Sequence, residues 1–141
     1  MRSSRLLLGV FLFASGCALA AGAELPTVQD GKWILKSKVN GQPHETQICG
    51  NPLDKVAAAI AAARDTEKLG CRVEVRSPVP RTTSVVVDCP ADRSSEDGSR
   101  QVRKGTSELT VNSASMQSVM IDLRREGRHE TVDAERVGAC D

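Results

Sequence analysis

The stretch CRVEVRSPVPRTTSVVVDC, residues 71–89, decides the fold. Its two ends, Cys71–Arg76 and Ser84–Cys89, read as strands, and Pro78 and Pro80 keep the connection between them out of any ladder. Paired antiparallel with Cys71 opposite Cys89, Val73 faces Val87 and Val75 faces Val85. All of these side chains share one face, because strand side chains alternate with a period of two. On the other face Arg72 meets Asp88, an opposite-charge cross-strand pair. A slip of one residue would break all of these pairs. The register that gathers the valines thus brings two sulfurs together, on condition that the cysteines occupy a non-hydrogen-bonded position, where Cα atoms approach most closely.

Beyond the N-terminus the cysteines are Cys49, Cys71, Cys89 and Cys140. An even count in an exported chain implies disulfides, and four cysteines allow three connectivities. If Cys71 bonds Cys89, Cys49 bonds Cys140 by exclusion. No CxxC is present for a thioredoxin-like redox site, and the spacings are too wide for paired zinc ligands.

Export is read from the first residues. Met1–Arg5 form a short basic head, Leu6–Phe13 an apolar run, and Ala18–Ala20 and Ala21–Ala23 two small-residue sites. The run is shorter than the ~20 residues that span a bilayer. Residues 1–23 therefore read as a signal peptide cut after Ala20 or Ala23, leaving one domain over 24–141 in the periplasm or outside the cell. ASGC, residues 14–17, loosely matches a bacterial lipobox, so lipidation of Cys17 and anchoring to a membrane is the alternative. No later stretch is apolar enough to span, and the mature chain is otherwise expected to be soluble.

Removing Arg2 and Arg5 leaves 17 basic residues against 18 acidic ones. This near-neutral balance, without a basic block, argues against nucleic acid as a partner. Both phenylalanines lie in the signal peptide, so Trp33 is the mature chain's aromatic residue and no stacking platform exists. The core must then come from aliphatic side chains around Trp33. Such a core is thin and would be helped by covalent staples.

Elsewhere, Asn40-Gly41 is a strong hairpin signal that sets Trp33 opposite Ile48 and Leu35 opposite Thr46, with Ser37 and Val39 on the Trp33 face. Residues 51–70 predict a helix: Asn51 caps, Pro52 takes the first position, and Gly70 stops it. Its inward stripe is expected at Leu53, Val56, Ala57, Ile60, Ala61 and Arg64. Residues 90–105 read as a charged surface loop with a turn at Asp97-Gly98 and a ragged strand near Gln101–Arg103. The last third reads as a meander that turns at Asn112–Ser115 and at Glu126-Gly127, placing Ile121 opposite Val132 and Val119 opposite Ala134. The sum is an α+β fold: an antiparallel meander with one amphipathic helix on one face, the other face open to water, and two disulfides.

Several of these residues resemble the bacterial envelope proteins grouped as domain-of-unknown-function family 3617. They are Gly31–Trp33, Gln47–Pro52, Gly70-Cys71, Cys89, Gly105-Thr106 ahead of SELTV, and Val137–Cys140. The resemblance covers Gly31 to the C-terminus. It implies an exported single domain and supplies no catalytic residue.

The histidines are His44 and His129, each followed by glutamate and each near a turn. There is no HExxH, GxSxG, Walker loop or GxGxxG. The expectation is a non-catalytic envelope protein, needing no cofactor, that binds a small apolar ligand, a lipid or a protein. The alternative is a periplasmic enzyme or metal-binding protein using His44 or His129.

Overall fold

The computed structural model describes residues 25–141; the expected signal peptide, its cleavage positions and Cys17 lie outside the described residues. The first elements are strands β1 (Gly31–Val39) and β2 (Gln42–Gly50). Asn40 and Gly41 both have positive φ, as a tight hairpin turn requires. Trp33 stands opposite Ile48 and Leu35 opposite Thr46, the expected register.

Helix α1 follows at Asp54–Asp65 and tightens into a 3-10 turn at Thr66–Leu69. It begins later than its sequence suggests. The Leu53 N–H donates to Asn51 Oδ1 at 2.9 Å, so Asn51 closes a turn ahead of the helix rather than capping it. Pro52 is buried in that turn. The far end stops as expected, with Gly70 left-handed at φ 88. There the Gly70 N–H donates to the Glu67 carbonyl and the Cys71 N–H to the Thr66 carbonyl, a Schellman motif that delivers the chain straight into Cys71.

Strands β3 (Arg72–Arg76) and β4 (Thr82–Cys89) pair with Val73 opposite Val87, Val75 opposite Val85 and Arg72 opposite Asp88. A two-stranded ribbon, β5 (Arg93–Ser94) and β6 (Gln101–Val102), gives the 90–105 segment more order than its charge suggests. Strands β7 (Gly105–Ser115), β8 (Ser118–Arg125) and β9 (Arg128–Gly138) complete the fold. Val119 lies opposite Ala134 and Ile121 opposite Val132, as expected. The β7–β8 turn falls at Met116-Gln117 rather than at Asn112–Ser115, because Asn112 and Ser113 stay in the ladder.

The main sheet has the order β2-β1-β9-β8-β7-β4-β3 and is antiparallel throughout. The helix joins its two outermost strands. It leaves β2 at Gly50, level with Gly31, and enters β3 beside Cys71, level with Cys89 and Gly105. Those levels are opposite ends of the strands, so the helix crosses the sheet on a diagonal.

Trp33 is fully buried at the centre of the core, and its Nε1 donates to the Gln29 carbonyl at 3.0 Å. Val111, Val119 and Ala134 from the sheet, Leu53 and Val56 from the helical arm, and Val28 from the N-terminal segment close around it. Of the expected inward helix stripe, Leu53 and Val56 are buried and Ile60 is half-buried, whereas Ala57, Ala61 and Arg64 are exposed. The diagonal lets only one narrow line of the helix reach the sheet.

Both expected disulfides are present, Cys49–Cys140 and Cys71–Cys89. The Cys71 and Cys89 Cα atoms are 4.2 Å apart, the close approach of a non-hydrogen-bonded pair. Intramolecular disulfides indicate an oxidising compartment outside the cytoplasm. Among the described residues no helix is long and apolar enough to cross a membrane.

Two mutational outcomes follow. The bridges close loops of sequence separation 91 and 18. On loop entropy, replacing Cys49 and Cys140 by alanine should cost roughly 4–5 kcal/mol in urea unfolding, and replacing Cys71 and Cys89 roughly 3. The opposite order would show that native packing, not loop length, sets their worth. Gly31 has φ +154, and a Cβ there would run into the Gly138 carbonyl and the Arg136 guanidinium, whereas Gly41, also at positive φ, has open space around it. Gly31→Ala should therefore cost about 1–3 kcal/mol more than Gly41→Ala, compared by thermal denaturation.

Candidate functional site

The diagonal helix leaves two corners of the apolar sheet face to other cover. The corner over the start of β8 and the end of β7 is closed by the N-terminal segment. Val28 is buried there, Leu25 packs on the same cluster, and the Gln29 N–H donates to the Met116 carbonyl at 2.8 Å. The opposite corner lies over the far ends of β1, β2 and β9, and no segment among the described residues crosses it. Leu35 and Val132 are half-buried in it, and Val39 is 54% exposed. Register puts Leu35 beside Ala134 and Val132 beside both Ser37 and Ile121, with Ser37 between Leu35 and Val39 along β1. Half-buried Ile60 of the helix packs on the same core cluster as Leu35. Thr46 and His44, both exposed, rim the corner on β2.

Three hollows lie away from this corner. One of about 700 Å3 sits between the 3-10 turn and the β5–β6 ribbon, lined by Asp65, Lys68, Arg93 and Arg100 among others. Another, of about 650 Å3, lies among Leu25, Val79 and Met116 at the loop tips. A third, of about 470 Å3, lies on the polar face beside Lys36, Lys38, His129 and Asp133.

The two histidines are placed on opposite faces of the sheet. His44 pairs with Ser37 on the helix side, whereas His129 lies on the open side with Nε2 2.8 Å from Asp122 Oδ1. Arg124 reaches the other Asp122 oxygen at 3.5 Å. His129 is thus held by a carboxylate rather than being solely a solvated turn residue. Asp122 is the partner that the sequence reading missed. The register across Glu126-Gly127 already set Asp122 opposite Thr131, one diagonal step from His129. Among the described residues, no three or more histidine, cysteine, aspartate or glutamate side chains cluster as metal ligands, and no buried side-chain polar atom lacks a hydrogen-bond partner.

The open face carries the charges. Lys36 faces Asp133 across β1 and β9, Glu108 faces Arg124 across β7 and β8, and Arg72 reaches Asp88 at 3.6 Å. These alternating signs solvate the face and hold little stability, since exposed pairs contribute little.

One polar feature is strongly perturbed. At the tip of the β5–β6 ribbon, the Ser95 hydroxyl, the Ser99 hydroxyl and the Ser99 N–H all donate to Asp97 Oδ1, at 2.5, 2.7 and 3.0 Å. These bonds, that from Ser95 foremost, hold the Asp97 carboxyl far below the usual carboxylate range. A scan against family models and searches of curated proteins and of solved structures give no match to the chain.

The sign of the Asp97 shift makes a prediction. A lowered folded-state value stabilises the turn above the unfolded value, and that stabilisation is lost only as pH falls through the folded one. In a carboxyl-carbon NMR titration, Asp97 should remain ionised well below the usual aspartate range, and Ser95→Ala with Ser99→Ala should raise its titration toward that range. An ordinary Asp97 titration in the unmodified chain would contradict the hydrogen bonding described.

Proposed function

We propose that this is a non-catalytic domain of the bacterial envelope, exported to the periplasm, which binds an apolar partner through the uncovered corner of its sheet. The observation that carries the reading is that corner: Leu35 and Val132 half-buried on the sheet, Val39 exposed beyond them, and Ile60 of the helix packed on the same core. Exposed apolar surface that continues directly into a core usually marks binding. Its exposed Val39 suits a protein surface or lipid chains. The disulfides support residence outside the cytoplasm. The resemblance to domain-of-unknown-function family 3617 supports the envelope assignment on its quoted residues alone.

The second reading, a periplasmic enzyme or metal-binding protein, has one observation in its favour, the His129–Asp122 pair beside the polar-face hollow. A carboxylate that orients an imidazole occurs in general-base and metal sites, but here the remaining partners are Thr131 and Arg124, neither a nucleophile with its base nor a second metal ligand. His44 stands alone on the other face.

A photo-crosslinking residue placed at position 39, at 61, or at 110 on the polar face tests this in the native envelope. The binding reading expects a discrete adduct from 39 and 61 and none from 110, its mass separating lipid from protein. Adducts from 110 alone, or equal adducts from all three, would remove the corner as the binding surface.

A further inference from the structure

The two disulfides occupy contrasting environments. Cys71 and Cys89 are 6% and 7% exposed, under the end of the helix. Cys49 and Cys140 are both exposed. Cys49 lies at the outer end of edge strand β2, and Cys140 lies past the end of β9, one residue from the C-terminus. Lys32 stands opposite Cys49 in register, and its Nζ lies 3.2 Å from Asp141, the neighbour of Cys140. A lysine–aspartate ion pair therefore borders this bridge.

The connectivity is nested. In a chain that emerges N-terminus first, Cys71 and Cys89 are neighbours in order, whereas Cys49 must wait for a partner 91 residues on. Until then Cys49 is either a free thiol or joined to the wrong partner, and the native bond then forms by exchange.

From these observations we infer that Cys49–Cys140 is a site of thiol–disulfide exchange, acted on by a dithiol oxidoreductase of the export compartment, while Cys71–Cys89 is an inert structural bond. In the opening direction a thiolate of the dithiol attacks Cys49 or Cys140. The new sulfur–sulfur bond is a mixed disulfide, and the other cysteine leaves as a thiolate. The second thiol of the reagent, once deprotonated, attacks the mixed disulfide, leaving the reagent oxidised. Two electrons and two protons have passed to the cysteine pair. Closing is the reverse. Opening leaves the sheet intact, because β2 keeps its ladder to β1 over Gly31–Gly50 and β9 keeps its own to β1 and β8.

The oxidised mature chain, without denaturant, is exposed to graded dithiothreitol, quenched with iodoacetamide and mapped by peptide mass spectrometry. Cys49 and Cys140 should be alkylated while Cys71 and Cys89 remain joined. In parallel, a thioredoxin-type protein with its second active-site cysteine changed to serine should form a mixed disulfide at Cys49 or Cys140. Opening of Cys71–Cys89 first, appearance of all four thiols together, or trapping at Cys71, at Cys89 or at no cysteine would overturn the inference.

Discussion

The structure depends on one constraint: a single helical arm must join the two opposite edges of a seven-stranded sheet. Six strand spacings of about 4.8 Å make the sheet roughly 29 Å wide. Twelve α-helical residues and four 3-10 residues make a rod of roughly 26 Å. The diagonal it follows is longer still, so the Asn51–Leu53 turn at one end and Gly70 at the other add to its reach. A cysteine lies near each end of the rod, Cys49 five residues before Asp54 and Cys71 two residues after Leu69. The bridges thus fix the places where the arm meets the sheet edges.

The diagonal explains how the two faces are used. A rod about 10 Å across cannot cover a face this wide. One corner is filled by Leu25–Asp30, with Val28 as its anchor, and the other is left bare. The polar face needs no cover, since its cross-strand neighbours alternate in charge. The exposed edges carry features that discourage strand addition: Pro43 on β2, and Arg72, Glu74 and Arg76 on the five-residue β3. Exposed large apolar side chains in the strands are Val39 at the bare corner, Met120 on β8 and Val137 near the end of β9.

Local chemistry made much of this readable from sequence. Asn40-Gly41 fixed the β1–β2 register by turn geometry, and the valines fixed β3 on β4 by the cost of a one-residue slip. Glu126-Gly127 did the same for β8 and β9. The contacts between distant segments, β1 on β9 and β4 on β7, have no turn to announce them and were not readable. Without them the sheet order, and so the diagonal and its bare corner, stayed hidden. The helix stripe failed for the same reason: periodicity shows which residues can face inward, but the crossing angle decided that Ala57 and Ala61 do not. Asp97 was read as a turn residue, yet its three donors depend on the conformation of the loop tip.

The alanine content of the arm follows from these demands. An arm touching the sheet along one line gains little from burial beyond Leu53, Val56 and Ile60, so it must favour the helical state by itself. Alanine does this best and leaves no bulky apolar group on the exposed side. Yet an isolated helix of this length is only marginally stable in water. Its helicity therefore rests on being held at both ends, and it is the element that loosens most readily when a fastening is released. The accessible fastening is Cys49–Cys140, at the arm's N-terminal end, and Leu53 and Val56 are the first buried residues beyond it. Those two side chains belong to the cluster that buries Trp33, so the cover of Trp33 is the part of the core nearest that bridge.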